Sequence, residues 1–299
     1  MSHSCYAKPF LRQALTLLEL VVVLGILAVL STVAVRSLEP IADQARYEST
    51  QTVLNDLRLA TVGVTVGTTS RSASFIGDTG TLPSDVDALQ VRPVALVAHS
   101  LQLFDSDRDA INDVSLSSGW NGPYMHLGVG LSGVLDGWGA EPALLATSGN
   151  LDIISLGSDG DSLAPEDGYR ADLTVTIQVR DYTGNVTFRL FSIDGLNGSR
   201  IDPSLTGTEQ LGVLFYGVNA TGGNSGAIAE QMLVVPNSGT FEHRRANTLS
   251  GAFAARAILW NDIDSDDVLD VGESIIKKSF LHYSMAHPAT DVRIEMELR

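Results

Sequence analysis

The chain has 299 residues, 44% of them hydrophobic and only 6% aromatic, with a formal charge of −16; this allows two domains and a sizeable core. The acidic balance excludes a basic phosphate-binding face, so no nucleic-acid partner is expected. The single cysteine, Cys5, excludes an internal disulfide and a cysteine-type zinc site, while aspartates in short clusters point to Ca²⁺ or, equally, to a solvated acidic surface.

Residues 1–14 carry Lys8 and Arg12 and no acid. From Leu15 to Val35 the chain is almost wholly apolar, a run long enough to read as a membrane-crossing helix over 15–36. The run exceeds a secretory signal core and leads into ADQARYESTQTVLNDLRLATVGV, where Val53, Leu54 and Leu57 fall at helical spacing. One long helix over 15–66 is predicted, locally opened at Pro40. Glu19 stands alone among apolar residues and either needs a partner or snorkels to the headgroups as in an ordinary membrane anchor. A free amine made by a cut between Ala14 and Leu15 would supply the partner.

The segment ALTLLELVVVL resembles the processing signal of type IV prepilins and pseudopilins. The resemblance implies that prepilin peptidase removes residues 1–14 and methylates the amine of Leu15. It also implies that Glu19 pairs with the N-terminal amine of a neighbouring subunit. The family pattern has Gly before the cut and Phe after it, where this chain has Ala14 and Leu15.

Residues 67–82 read as a loop, followed by a helix start with Ser84 as cap and Asp87 three positions on. Three pieces then follow in order: Trp120-Asn121-Gly122-Pro123-Tyr124, Asp136-Gly137-Trp138-Gly139 and Ser155-Leu156-Gly157-Ser158-Asp159-Gly160. Together with the N-terminal signal they resemble the major pseudopilin of type II secretion systems over about residues 11–173. That resemblance implies a globular domain over 67–173 and a Ca²⁺ loop. Its ligands would be the Leu156 carbonyl and Asp159, with Glu166 and Asp167 after them and Asp161 and Asp172 behind. An Asp/Gly turn without metal is the alternative. A further cluster, Asp105 to Asp109 followed by Asp113, has partial Ca²⁺-loop spacing but Leu116 in the closing position, and reads as a solvated turn.

Over 174–299 the pattern changes to short alternating runs such as NVTFRLF, GVLFYGV and VRIEMEL, separated by Gly, Asn and Asp; an antiparallel β-sandwich-like module is predicted. Within it Asp262, Asp264, Asp266, Asp270 and Glu273 occupy positions 1, 3, 5, 9 and 12 of an EF-type loop. Val268 at position 7 could offer its carbonyl. Asp267 stands where such loops carry Gly. The flanks alternate like strands, so a Ca²⁺-clipped connection between two strands is expected, with an acidic hairpin tip as the alternative.

The six histidines form no zinc-protease pattern, and no nucleophile elbow, phosphate loop or dinucleotide fingerprint occurs, so no enzymatic activity is expected. Asn185, Asn197 and Asn219 begin glycosylation-type triplets that also arise by chance. The fold expected is α+β: a long transmembrane helix of the pilin kind packed on a small antiparallel sheet, plus the C-terminal all-β module. The function expected is that of a Ca²⁺-stabilised structural subunit of a type II secretion pseudopilus or related filament supporting protein export. The alternatives are a tip adhesin or an anchored extracytoplasmic binding domain. The partners implied are other pseudopilin subunits, prepilin peptidase, an inner-membrane assembly platform and the lipid bilayer. The location implied is the bacterial inner membrane, single-pass, with the globular part periplasmic.

Overall fold

The structure is a computed structural model that describes residues 17–63, 65–66, 70–71, 74–106, 111–127, 133–161, 168–218, 227–234, 241–270, 272–286 and 291–299. The first element, α1 (Leu17–Val62), runs for 46 residues with Pro40 inside it. The hydroxyls of Thr50, Thr52 and Thr61 donate back to carbonyls four residues earlier. The helix stops at Gly63, whose φ of 77° lets its N–H reach the Leu59 carbonyl at 2.7 Å.

The expectation of a membrane-crossing helix is corrected here. Among the described residues no helix is long and apolar enough to cross a membrane. The physical reason lies in α1 itself. Its uncharged stretch is confined between Glu19 and Arg36, about 24 Å at ~1.5 Å per residue against a hydrocarbon core of about 30 Å. Beyond Arg36 the helix turns polar. The single-pass inner-membrane location falls with the span, and so does the transmembrane designation, which leaves the pseudopilin designation unsupported. The α+β class is corrected too: the molecule is mostly β, with sixteen strands among the described residues and only short helical segments besides α1.

After the helix come β1 (Thr65–Val66) and β2 (Ser70–Arg71), an antiparallel pair. Within the segment read as a loop lies α2 (Phe75–Thr79), where the Ser74 hydroxyl accepts from the Gly77 N–H and Gly80 closes the helix at φ 76°. The helix expected from Ser84 shrinks to a 3-10 turn at Asp87–Leu89. Its N-cap position is Val86, and the Asp85 carboxylate just before it accepts from the Ala88 N–H. Next come the hairpin β3 (Ser100–Phe104) and β4 (Val114–Ser118). The strands β5 (Ala143–Thr147), β6 (Asn150–Ser155) and β7 (Leu173–Ile177) form one antiparallel sheet in that order. The run LTVTI, most of which falls within the 174–299 stretch expected to form the C-terminal module, therefore belongs with the first sheet. The last turns of α1 bury Leu54 and Leu57 against Leu151, Ile153 and Ile177 of that sheet.

A single turn, α3 (Val179–Tyr182), leads into the larger β region: β8 (Thr183–Ile193), β9 (Arg200–Ile201), β10 (Glu209–Val218), β11 (Ala227–Leu233), β12 (Phe241–Leu249), β13 (Gly251–Asn261), β14 (Ile275–Lys278), β15 (His282–Ala286) and β16 (Asp291–Leu298). One sheet has the order β11-β10-β13, with β14 and β15 both on the far edge of β13; the other has the order β12-β8-β16, with β9 beside β8. All these pairings are antiparallel except β16 on β8, which is parallel. The core between the sheets is made by alternate residues, among them Phe188, Leu190, Val213, Phe215, Phe253 and Met296, as the two-residue period of strands dictates.

The outer face of the β10–β13 sheet is covered as well. Val114, Leu116 and Phe104 of the β3–β4 hairpin pack on Tyr216, Ala254 and Leu214, with the Phe104 and Tyr216 rings 5.1 Å apart. The hairpin is thus a third layer on the sandwich.

Candidate metal site

The site lies where β13 hands over to β14. Asn261 ends the strand and receives the Thr208 hydroxyl on its side-chain oxygen. Its own N–H donates to the Ser274 carbonyl, and the Asp262 N–H donates to Thr208 at 3.0 Å. The loop from Asp262 to Glu273 is therefore anchored at both ends and to the approach to β10. Between the anchors, Leu269 is buried against Ile258 and Trp260 on the outer face of the sheet. That apolar plug leaves Asp264, Asp266, Asp267 and Asp270 exposed on the outside of the loop.

Two carboxylates shape the loop from within. Asp262, 2% exposed, accepts from the N–H groups of Ser265 (2.8 Å) and Asp267 (3.1 Å). Glu273 accepts from Ile263 (2.7 Å) and Asp270 (2.9 Å), so the first and last acids of the twelve-residue frame each tie two amides. Asp266 accepts from the Val268 N–H at 2.8 Å. Ser265 and Asp267 both adopt φ 64°. The turn at the position where such loops carry Gly is made by Asp267, a residue type that tolerates the left-handed region. Gln210 of β10 donates to its side chain at 2.8 Å.

Two groups of carboxylate oxygens lie within 4.8 Å of one another: Asp262, Asp264 and Glu273, and Asp264, Asp266 and Asp270. Asp264 belongs to both. Its pKa is raised by desolvation and by the neighbouring charges of Asp266, Glu273 and Asp270, against a partial offset from the Asp266 backbone. Repulsion of this kind is relieved by a cation, and the acidic clusters can hold a metal ion. Val268 sits on the rim, 44% exposed.

The other expected metal loop lies only partly within the described residues. The Leu156 carbonyl accepts from the Gly160 N–H, and Asp159 accepts from the Asp161 N–H. Glu166 and Asp167 lie outside the described residues. No acidic group in this segment is among the metal-competent clusters of the described residues. Its distal arm is held to α1 through Tyr169, which donates to Gln44 at 2.8 Å and stands edge-on to Tyr47. Ala14 and Leu15 also lie outside the described residues, and Glu19 occupies the first turn of α1.

The remaining motifs are structural. The Trp120 indole donates to the Ala88 carbonyl, and Tyr124 donates to Asp78 while accepting from the Asn121 N–H. Buried Asp136 accepts from Trp138, Ala140 and the Ser155 hydroxyl. The turn it closes sits against α1, where the Gly137 N–H donates to Thr50 at 3.0 Å. Asp113, expected in a solvated turn, accepts from the Ser106 amide and hydroxyl and pairs with Arg256. No local signal pointed to that pair, because its members lie far apart in the chain.

No family model matches the chain, and neither a curated protein nor a solved structure matches it.

Proposed function

We propose that this chain is a structural subunit of a type II secretion or type IV pilus-like filament, stabilised by Ca²⁺ in the loop Asp262–Glu273. The observation that supports this reading is the surface of α1. Between Leu17 and Leu30 eleven large apolar side chains are 46–82% exposed, and they point in every direction around the helix. A helix that is apolar all round has its lowest free energy when other apolar surfaces surround it. In a filament, the same helices of neighbouring copies form that surround. Glu19, one turn into the stretch, then pairs with the N-terminal amine of an adjoining copy, which cleavage after Ala14 by prepilin peptidase generates. An assembly platform is the other partner this reading requires.

Ca²⁺ is preferred to other cations on chemical grounds. The donors are all hard oxygens, the loop is irregular and exposed, and the acids follow the spacing of positions 1, 3, 5, 9 and 12. Ca²⁺ accepts six to eight oxygens in flexible geometry, whereas Mg²⁺ demands a near-ideal octahedron.

Electron microscopy of filaments from cells that supply the peptidase and the assembly platform, producing the parent chain or a Leu20→Glu, Leu24→Glu, Leu27→Glu variant, tests the reading. Filaments from the parent and none from the variant are expected. A parent chain that stays monomeric under assembly conditions, with helicity intact, overturns it. A second reading, a subunit restricted to the filament tip, is favoured by the size of the three-layer β region, which crowds a lattice of identical copies. Stoichiometry in isolated filaments separates the two.

A further inference from the structure

We infer that β3 is the seat of a two-fold contact between two copies of this chain, in which the two β3 strands pair edge to edge and antiparallel. Among the described strands β3 bonds only to β4, so its other edge has no strand partner among the described residues. Natural sheet edges are guarded by lysine, proline, bulges or inward charges. The strand Ser-Leu-Gln-Leu-Phe contains none of these, and its register with β4 runs without a bulge from Ser100↔Ser118 to Phe104↔Val114. Phe104 packs on the sandwich and holds the hairpin down. Leu101 and Leu103 are 60% and 54% exposed, opposite Ser117 and Ser115 of β4. Of the other uncharged edge strands, β4 and β7 expose no large apolar side chain, and β5, preceded by Glu141-Pro142, exposes only Leu145.

The occupant that fits is a second copy of the same strand. An antiparallel pairing centred on Gln102 sets Leu101 of each copy opposite Leu103 of the other, on both sides of the axis. Centring on Leu101 or Leu103 leaves one leucine facing His99 or Asp105. Only the Gln102 register covers both leucines with leucines, and it places no charge against a like charge. The result is a continuous four-stranded layer across two molecules. The contact closes on itself and does not depend on the filament reading.

Disulfide trapping in the full chain, with Cys5→Ser as background, tests it. Leu101→Cys and Leu103→Cys chains are oxidised separately and as a mixture, with Leu145→Cys as the exposed control. The register predicts that the mixture forms a covalent dimer on the order of tenfold above the control, while each variant alone does not. A mixture no more cross-linked than Leu145→Cys overturns the contact. The same trapping is repeated on chains carrying Leu20→Glu, Leu24→Glu and Leu27→Glu. Persistence of the dimer there supports a contact independent of α1, and its loss overturns that independence whether or not filaments form. Light scattering adds a readout without cysteines: Leu101→Lys with Leu103→Lys, at exposed positions, halves the mass of the α1-substituted chain. An unchanged mass counts against the pairing.

Discussion

The guanidinium of Arg256, on β13 at the centre of the sandwich, meets the carboxylate of Asp113, at the foot of the β3–β4 hairpin, at 2.5 Å. Their side chains are only 11% and 28% exposed, and Asp113 also accepts the Ser106 hydroxyl at 2.7 Å. One ion pair thus pins the third layer to the sheet beneath it. Burial pushes the Asp113 pKa up, but the Ser106 hydroxyl and amide and the Arg256 charge outweigh it and hold the group below its ordinary value.

Removing one partner should cost more than removing both. Arg256→Met leaves a partly buried carboxylate uncompensated and should lower unfolding free energy by about 3 kcal/mol, the lower end for such pairs because Asp113 keeps some solvent contact. Arg256→Met with Asp113→Leu should lose less. Urea unfolding of the three proteins measures this. Because the native pKa of Asp113 is depressed, its contribution is fully present above the unfolded value and is lost as pH falls through the native one. The acid-limb difference between parent and Asp113→Asn therefore lies below pH 3.8.

The turn at Asp136–Gly139 should be intolerant of small changes. A Cβ on Gly137 would lie 2.0 Å from the Arg46 carbonyl of α1, so Gly137→Ala should cost about 2 kcal/mol by forcing helix and turn apart. Asp136→Ala strands the N–H groups of Trp138 and Ala140, and about 3 kcal/mol is expected. Chemical denaturation checks both. Hydrogen exchange over residues 46–57 should rise in each variant.

Ca²⁺ should stabilise the protein by mass action, by about 2.7 kcal/mol at a hundredfold excess over Kd. Asp264→Asn removes the carboxylate common to both acidic groups and should abolish the shift in thermal melting, whereas Val268→Ala keeps the backbone carbonyl and should retain it. Trp260 lies beneath the loop and reports the event by fluorescence. The Asp264 pKa is raised in the native state. Metal-free protein should therefore gain stability as pH falls through that raised value and lose it as pH rises, and saturating Ca²⁺ should flatten the slope.

Position 267 tests the backbone. At φ 64° a β-branched side chain is strained, so Asp267→Val should cost about 1–2 kcal/mol and weaken metal binding. Asp267→Gly gives up the Gln210 hydrogen bond but relieves the left-handed conformation, so stability should stay within about 0.5 kcal/mol of the parent. Calorimetric titration of both variants distinguishes them.

The parts legible in the sequence are those whose geometry is short-ranged. Twelve consecutive residues, Asp262 to Glu273, can surround one point whatever the rest of the chain does, so their spacing alone marked the acidic cluster. The alternation along NVTFRLF marked β8, because side-chain period is a property of the strand itself. Pairing is a different matter. Alternation in LTVTI did not say that β7 joins β6, nor did VRIEMEL say that β16 lies parallel to β8, since either strand could bury its apolar face on several sheets.

By itself the sequence determined the periodicities, the acidic frame and a helix beginning among apolar residues. It also carried the charges, Glu19 and Arg36, that keep the uncharged stretch of α1 short of a bilayer. Only the tertiary structure decided that Asp113 serves Arg256 instead of solvent, that Asp267 makes the turn a glycine was expected to make, and that the β3–β4 hairpin roofs the sandwich. These follow from contacts between distant residues, whose energies depend on which surfaces remain to be covered once every strand has chosen its neighbours.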